Sequence, residues 1–139
     1  MKGNLVKDWM TPDPVTITSN ATLPEAYWTM INKKVRRLII LDGESLVGII
    51  TLDDIRHAGP STTIGFDLVK LSDQLCKMTA RQVMTKNPLT ISQSASLIDA
   101  ARMMLDNKIS TLPVMDGNHL VGIITESDIF RAFVERETS

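Results

Sequence analysis

The stretch Leu46-Val47-Gly48-Ile49-Ile50-Thr51-Leu52-Asp53-Asp54-Ile55 returns 74 positions later as Leu120-Val121-Gly122-Ile123-Ile124-Thr125-Glu126-Ser127-Asp128-Ile129. Its first part is a short apolar run rich in branched side chains, the mark of a buried strand. Its second part, Thr-x-x-Asp, is a helix start: the threonine can accept from a free backbone N–H and the acid three residues on can reach back. A strand therefore runs straight into a helix, and does so twice. Working outward, Met10 to Ile55 lies on Met84 to Ile129 without a gap, with 21 identities among 46 pairs. Self-similarity at a fixed offset marks duplicated structural units. Function is expected where the two copies meet.

The chain has 139 residues, 43% apolar and 22% charged, enough for one core built from two halves. A formal charge of -1 offers no broad basic field, so nucleic acid and acidic membrane surfaces are not expected partners. The basic run Lys33-Lys34-Val35-Arg36-Arg37 has acidic neighbours and little aromatic support. Cys76 is the single cysteine, which excludes a disulfide framework and suits a reducing cytosol; it reads as a small buried hydrophobe. No apolar run reaches the length of a signal peptide or a membrane span, so the expectation is a soluble cytoplasmic protein. His57 and His119 stand alone, and no Cys, His or acidic cluster has metal spacing. Ser110 and Ser127 lack an identifiable base, and no glycine-rich phosphate loop occurs. Catalysis is not expected.

Each copy reads as strand, helix, strand, strand, helix, an α+β plan. Val15-Thr16-Ile17 is a short extended run. Leu23, Ala26, Tyr27, Met30 and Ile31 then follow helical spacing behind a Thr22–Glu25 capping pair. Leu38-Ile39-Ile40-Leu41 and Leu46 to Ile50 form a hairpin across Asp42-Gly43. The second copy repeats this with Leu89-Thr90-Ile91, then Leu97, Ala100, Met104 and Leu105 behind Ser96 and Asp99, and a hairpin at Asp116-Gly117. Its last helix carries Ile129, Phe130 and Phe133. Residues 57–63 break the first copy, and Phe66, Leu68, Val69, Leu71, Leu75 and Cys76 suggest a connecting helix. The expected domains are repeat 1 over 1–58, a linker over 59–80 and repeat 2 over 81–139. A three-stranded sheet cannot bury both faces under two short helices, so the copies should pack sheet to sheet about a pseudo-twofold axis, making two clefts.

Met-Thr-x-x-Pro with Thr-Ile, an amphipathic helix, a hairpin at Asp-Gly and Gly-Ile-Ile-Thr-x-x-Asp-Ile together resemble a tandem pair of cystathionine β-synthase (CBS) domains, the Bateman-module family. The resemblance covers nearly the whole chain outside the linker and tail. It implies a regulatory module binding AMP, ADP, ATP or a related adenosyl ligand such as S-adenosylmethionine or a dinucleotide between the repeats; other such pairs bind nothing and act as oligomerisation scaffolds. By that resemblance the first site would use Ile49, Thr51 and Asp54 with Leu89, Ile109, Ser110 and Thr111. The second would use Ile123, Thr125 and Asp128 with Val15, Val35, Arg36 and Arg37. Each aspartate could accept both ribose hydroxyls beside free helix-start N–H groups. Plain capping is the competing reading, and Thr22–Glu25 and Ser96–Asp99, at the same spacing, are internal controls for it. The Asp128 cleft is expected to gain guanidinium groups, because Arg36-Arg37 answers to Ser110-Thr111. A homodimer joined through Met30, Met103, Met104 and their helices is expected, with an unidentified regulated protein as partner.

Overall fold

In a computed structural model the chain is described over residues 3–58 and 77–138. The helix expected around Phe66 to Cys76 lies outside the described residues. The order is α1 (Val6–Trp9), β1 (Thr11–Pro12), β2 (Thr16–Ile17), α2 (Leu23–Lys33), β3 (Arg37–Asp42), β4 (Ser45–Thr51), α3 (Leu52–Ala58), α4 (Ala80–Val83), β5 (Thr85–Lys86), β6 (Ile91–Ser92), α5 (Leu97–Asn107), β7 (Thr111–Asp116), β8 (His119–Thr125) and α6 (Glu126–Thr138).

Two compact units form, and neither is one continuous piece of chain. One comprises Met1–Pro14 with Leu89–Ser139, the other Val15–Pro88. Each holds a four-stranded sheet, in the orders β1-β8-β7-β6 and β2-β3-β4-β5. Three strands of each sheet are those read from the sequence. The fourth comes from the segment that precedes the other repeat: β1 pairs antiparallel with β8, and β5 with β4. Pro12 fits this role, since an edge strand tolerates a residue with no N–H to donate.

Both glycines of the repeated stretch exist for that fourth strand. A Cβ on Gly48 would stand 2.9 Å from the Thr85 carbonyl oxygen and against the Met84 side chain, and one on Gly122 would stand 2.9 Å from the Thr11 carbonyl oxygen and against Met10. The lead segments also cap the helices they approach. Leu97 N–H donates to Asn4 C=O and Leu23 N–H to Met78 C=O, satisfying donors at the starts of α5 and α2.

The Val15–Pro88 unit adds a polar clasp. Asp42 accepts from the Ser19 hydroxyl at 2.7 Å and from its backbone N–H at 3.0 Å, while Arg81 donates to Ser19 Oγ at 2.7 Å and to Asp42 at 3.3 Å. The two Ser19 hydrogen bonds, with the Arg81 charge beside them, hold the Asp42 carboxyl below its ordinary pKa. Arg81 thereby ties the lead segment to the hairpin.

One face of each sheet packs on helices. Leu38, Ile40 and Ile50 join Leu23, Ala26, Met30 and Ile55 in one core; Leu112, Val114 and Ile124 join Leu97, Ala100, Met104 and Val6 in the other. Met30 and Met104, expected to present a dimer face, are instead buried in these cores, and Met103 packs against the second. They stand one helical turn or a whole number of turns from Leu23, Ala26, Leu97 and Ala100, on the inward stripe. The apolar residues that α2 and α5 do expose are Trp28, Ile31, Ile98 and Leu105. The two hairpins turn as expected, with Gly43 at φ +64° and Gly117 at φ +60°.

Candidate functional site: two Thr-x-x-Asp corners

In the Val15–Pro88 unit β4 ends at Thr51 and α3 begins at Leu52, so no loop separates them. The Thr51 N–H donates to Asp54 Oδ2 at 2.8 Å, and the Asp54 N–H donates back to Thr51 Oγ1 at 3.1 Å. In the other unit the Thr125 N–H donates to Asp128 Oδ2 at 2.9 Å and its hydroxyl lies 3.3 Å from the same oxygen. Capping is therefore physically present in both. The controls separate what capping needs from what these corners add. Glu25 N–H and Asp99 N–H donate to Thr22 and Ser96 hydroxyls, but both acids are exposed and their carboxylates make no return bond among the described residues. Asp54 is half-buried, and Asp128 is only 4% exposed, a costly place for a carboxylate whose sole task is a cap.

Each corner is completed within its own unit by the start of the neighbouring strand. Arg37 is the antiparallel partner of Thr51, and Leu52 N–H donates to Arg36 C=O at 2.8 Å. Thr111 is the partner of Thr125, and Glu126 N–H donates to Ser110 C=O at 3.0 Å. Directly paired residues project from the same sheet face, so Arg37, Thr51, Ile39 and Ile49 share the face turned away from the helical core. Thr111, Thr125, Pro113 and Ile123 do the same in the other unit.

Among the described residues, Arg37 Nε and Thr111 Oγ1 are buried without a hydrogen-bond partner, at the same position of the two repeats. Buried polar atoms are almost always paired, so two such atoms at equivalent places are unusual.

Of the remaining expected residues, Val15 and Val35 are partly buried against the core of the Asp54 unit, and Ile109 against that of the Asp128 unit. Arg36 is exposed, Ser110 half-buried, and Leu89 44% exposed just ahead of β6. The structure thus gathers Val15, Val35, Arg36, Arg37, Ile49, Thr51 and Asp54 in one unit, and Leu89, Ile109, Ser110, Thr111, Ile123, Thr125 and Asp128 in the other.

Sequence reasoning passed over Arg131. Its Nη2 donates to Asp128 Oδ1, so both oxygens of that carboxylate are engaged. The i, i+3 spacing of Asp128 and Arg131 on one helix was the available signal. The equivalent residue in the first repeat is His57, whose Nδ1 lies 2.8 Å from the Asp53 carbonyl oxygen instead. Among the described residues no cluster of three or more His, Cys, Asp or Glu could hold a metal ion, and no helix is long and apolar enough to cross a membrane.

The family model for the CBS domain matches residues 6–61 and 80–135. The chain is 30% identical over 159 residues to the CBS domain-containing protein CBSX2, chloroplastic, of Arabidopsis thaliana, spanning 98% of this chain and 67% of that protein. A crystal structure of CBSX2 matches with a TM-score of 0.83 at 30% identity over 99% of each chain. Another, in complex with AMP, matches at 0.75 and 29% identity over 97% of this chain and 99% of that one. The CBS domain pair of protein MJ0100, in complex with 5′-methylthioadenosine and S-adenosyl-L-methionine, matches at 0.75 and 33% identity over 95% of this chain and 97% of that one. A homoserine O-acetyltransferase of Methanosphaera stadtmanae is 36% identical over 89% of this chain, but this covers only 23% of that enzyme. The chain belongs to the CBS domain family, with two copies of the domain in tandem.

Proposed function

We propose that this chain is a regulatory module that binds an adenosine-containing ligand at its Thr-x-x-Asp corners and passes occupancy on to a partner protein. The observation that carries the reading is the pair of buried, unpartnered polar atoms, Arg37 Nε and Thr111 Oγ1, each set across the strand pair from the motif threonine. A packed fold gains nothing from leaving such groups unsatisfied, whereas a ligand can pair them. AMP, 5′-methylthioadenosine and S-adenosylmethionine in the CBSX2 and MJ0100 complexes support an adenosyl group as that ligand. In this reading Asp54 and Asp128 accept ribose hydroxyls, Ile49 and Ile123 offer apolar surface to the base, and the corner N–H groups and Arg37 meet polar substituents. The cytoplasmic setting and the homodimer belong to the same proposal.

A thermal-shift panel with AMP, ADP, ATP, S-adenosylmethionine and NAD tests it. A ligand that binds only the native state adds RT ln(1 + [L]/Kd), about 2.7 kcal/mol at a hundred times Kd. At least one adenosyl ligand should raise the melting temperature. Unchanged melting with all five at millimolar concentration would leave the empty-scaffold reading in its place.

A further inference from the structure

The residue one helical turn past each corner aspartate sets the two corners apart. At Asp128 both carboxylate oxygens are engaged from within the helix start: Oδ2 takes the Thr125 N–H at 2.9 Å and lies 3.3 Å from the Thr125 hydroxyl, and Oδ1 takes Arg131 Nη2. The carboxylate is buried and the guanidinium that holds it is half exposed. At Asp54, Oδ2 takes the Thr51 N–H at 2.8 Å, and among the described residues no hydrogen bond reaches Oδ1. His57, at the position equivalent to Arg131, has its Nδ1 at 2.8 Å from the Asp53 carbonyl oxygen instead. Asp54 is accordingly half-buried where Asp128 is buried. A ribose presents two neighbouring hydroxyls, and a carboxylate meets both through its two oxygens. One oxygen of Asp54 is open to that approach, whereas every approach to Oδ1 of Asp128 competes with a cation. Arginine has no neutral form at any working pH, so the competition does not lapse.

We propose that Arg131 is a built-in competitor of the ligand at the Asp128 corner, so that the two corners load in a fixed order, Asp54 first and Asp128 only at higher ligand concentration. The proposal rests on the adenosyl reading of both corners and specifies how their occupancy is regulated. The competitor's strength is that of the ion pair, and a pair with one partner in solvent is worth up to about fivefold in an equilibrium constant. Removing Arg131 leaves one oxygen of a buried carboxylate unmatched, which raises what a ribose hydroxyl gains there. A chain that fills in two steps reports ligand concentration over a wider range than one whose corners fill together.

Titration of the full chain with adenosine, a ligand without charge, followed by two-dimensional amide NMR tests it. The Thr51 and Thr125 N–H groups each bond one corner aspartate, so their signals follow the two corners separately in one experiment. In the parent chain the Thr51 signal should move at lower adenosine than the Thr125 signal. Arg131→Met should lower the Thr125 midpoint by up to about fivefold and leave the Thr51 midpoint in place. Arg131→His, which installs the residue that the first repeat carries at this position, should act in the same direction and serves where the methionine variant folds poorly by circular dichroism. His57→Arg should give the first corner its own competitor and raise the Thr51 midpoint, and His57→Arg combined with Arg131→His should narrow or reverse the order. A Thr125 signal that moves with or before Thr51 in the parent, a Thr125 midpoint that stays or rises in both Arg131 variants, or a Thr51 midpoint unmoved by His57→Arg would each overturn the proposal while leaving adenosyl binding intact. Adenosine, AMP and S-adenosylmethionine all leaving both signals unmoved would overturn both.

Discussion

Arg131 and Asp128 form an ion pair on the first turns of α6, with the carboxylate buried and the guanidinium half exposed. A ligand that uses Asp128 for its ribose must share or displace Arg131, whereas the first repeat carries His57 at the equivalent position. Exposed ion pairs contribute roughly 0.2 to 1 kcal/mol, so Arg131→Met should tighten adenosine at the Asp128 corner by up to about fivefold. Affinity at the Asp54 corner should not move. Titration of the variant in an Asp54→Asn background checks this, and a weakened adenosine would mean that Arg131 touches the ligand rather than competing with it.

Asp54→Ala and Asp128→Ala separate capping from binding. A lost helix cap costs about 1 kcal/mol of stability, and a lost charge-assisted contact roughly 1.5 to 3 kcal/mol of affinity. Each variant should melt a few degrees lower and lose one binding site. Lower melting with parental affinity would reduce both aspartates to caps.

The clasp of Ser19, Asp42 and Arg81 predicts a pH dependence. Asp42 has a folded-state pKa below its unfolded one, so its stabilising share is fully present above the unfolded carboxylate pKa of about 3.9 and fades as pH falls through the folded value. Asp42→Asn should flatten the fall in melting temperature between about pH 5 and pH 2 and lower stability at neutral pH. An acid limb identical to the parent's would show that Asp42 contributes nothing through its charge.

Gly48 and Gly122 are predicted to be structural. Gly48→Ala should lower stability by about 1 to 3 kcal/mol, because the added methyl meets the Thr85 backbone, which cannot step aside as a side chain could. Ligand affinity, corrected for the folded fraction, should stay near the parent's. Denaturant titration measures the first and calorimetry the second.

How much of this was legible in the sequence depends on how local each feature is. The hairpins at Gly43 and Gly117, the helix behind Thr22 and the strand-to-helix corners at Thr51 and Thr125 follow from periodicity and turn chemistry within a few residues, and they could be read directly. The lead-in elements could not. Segments 5–12 and 79–86 share type more than identity, Lys7 with Arg81 and Asp8 with Gln82, and their strands are two residues long. Which repeat they join is a choice between distant partners that no local signal records. The glycines in the repeated stretch held the clue, since a strand glycine marks a close backbone approach. Burial of Met30 and Met104 was readable from their helical spacing with Leu23 and Leu97, but flexible methionine suits a core and an interface equally. Arg37 was noticed as a charge difference; its place opposite Thr51 needed the register.

The central claim is that the two Thr-x-x-Asp corners bind an adenosyl ligand, and calorimetric titration of AMP into the parent chain and into the Asp54→Asn, Asp128→Asn double variant tests it most directly. The account predicts saturable heat for the parent and none for a double variant whose circular dichroism matches it. Absence of heat from the parent at millimolar AMP, or equal binding by the double variant, would contradict it.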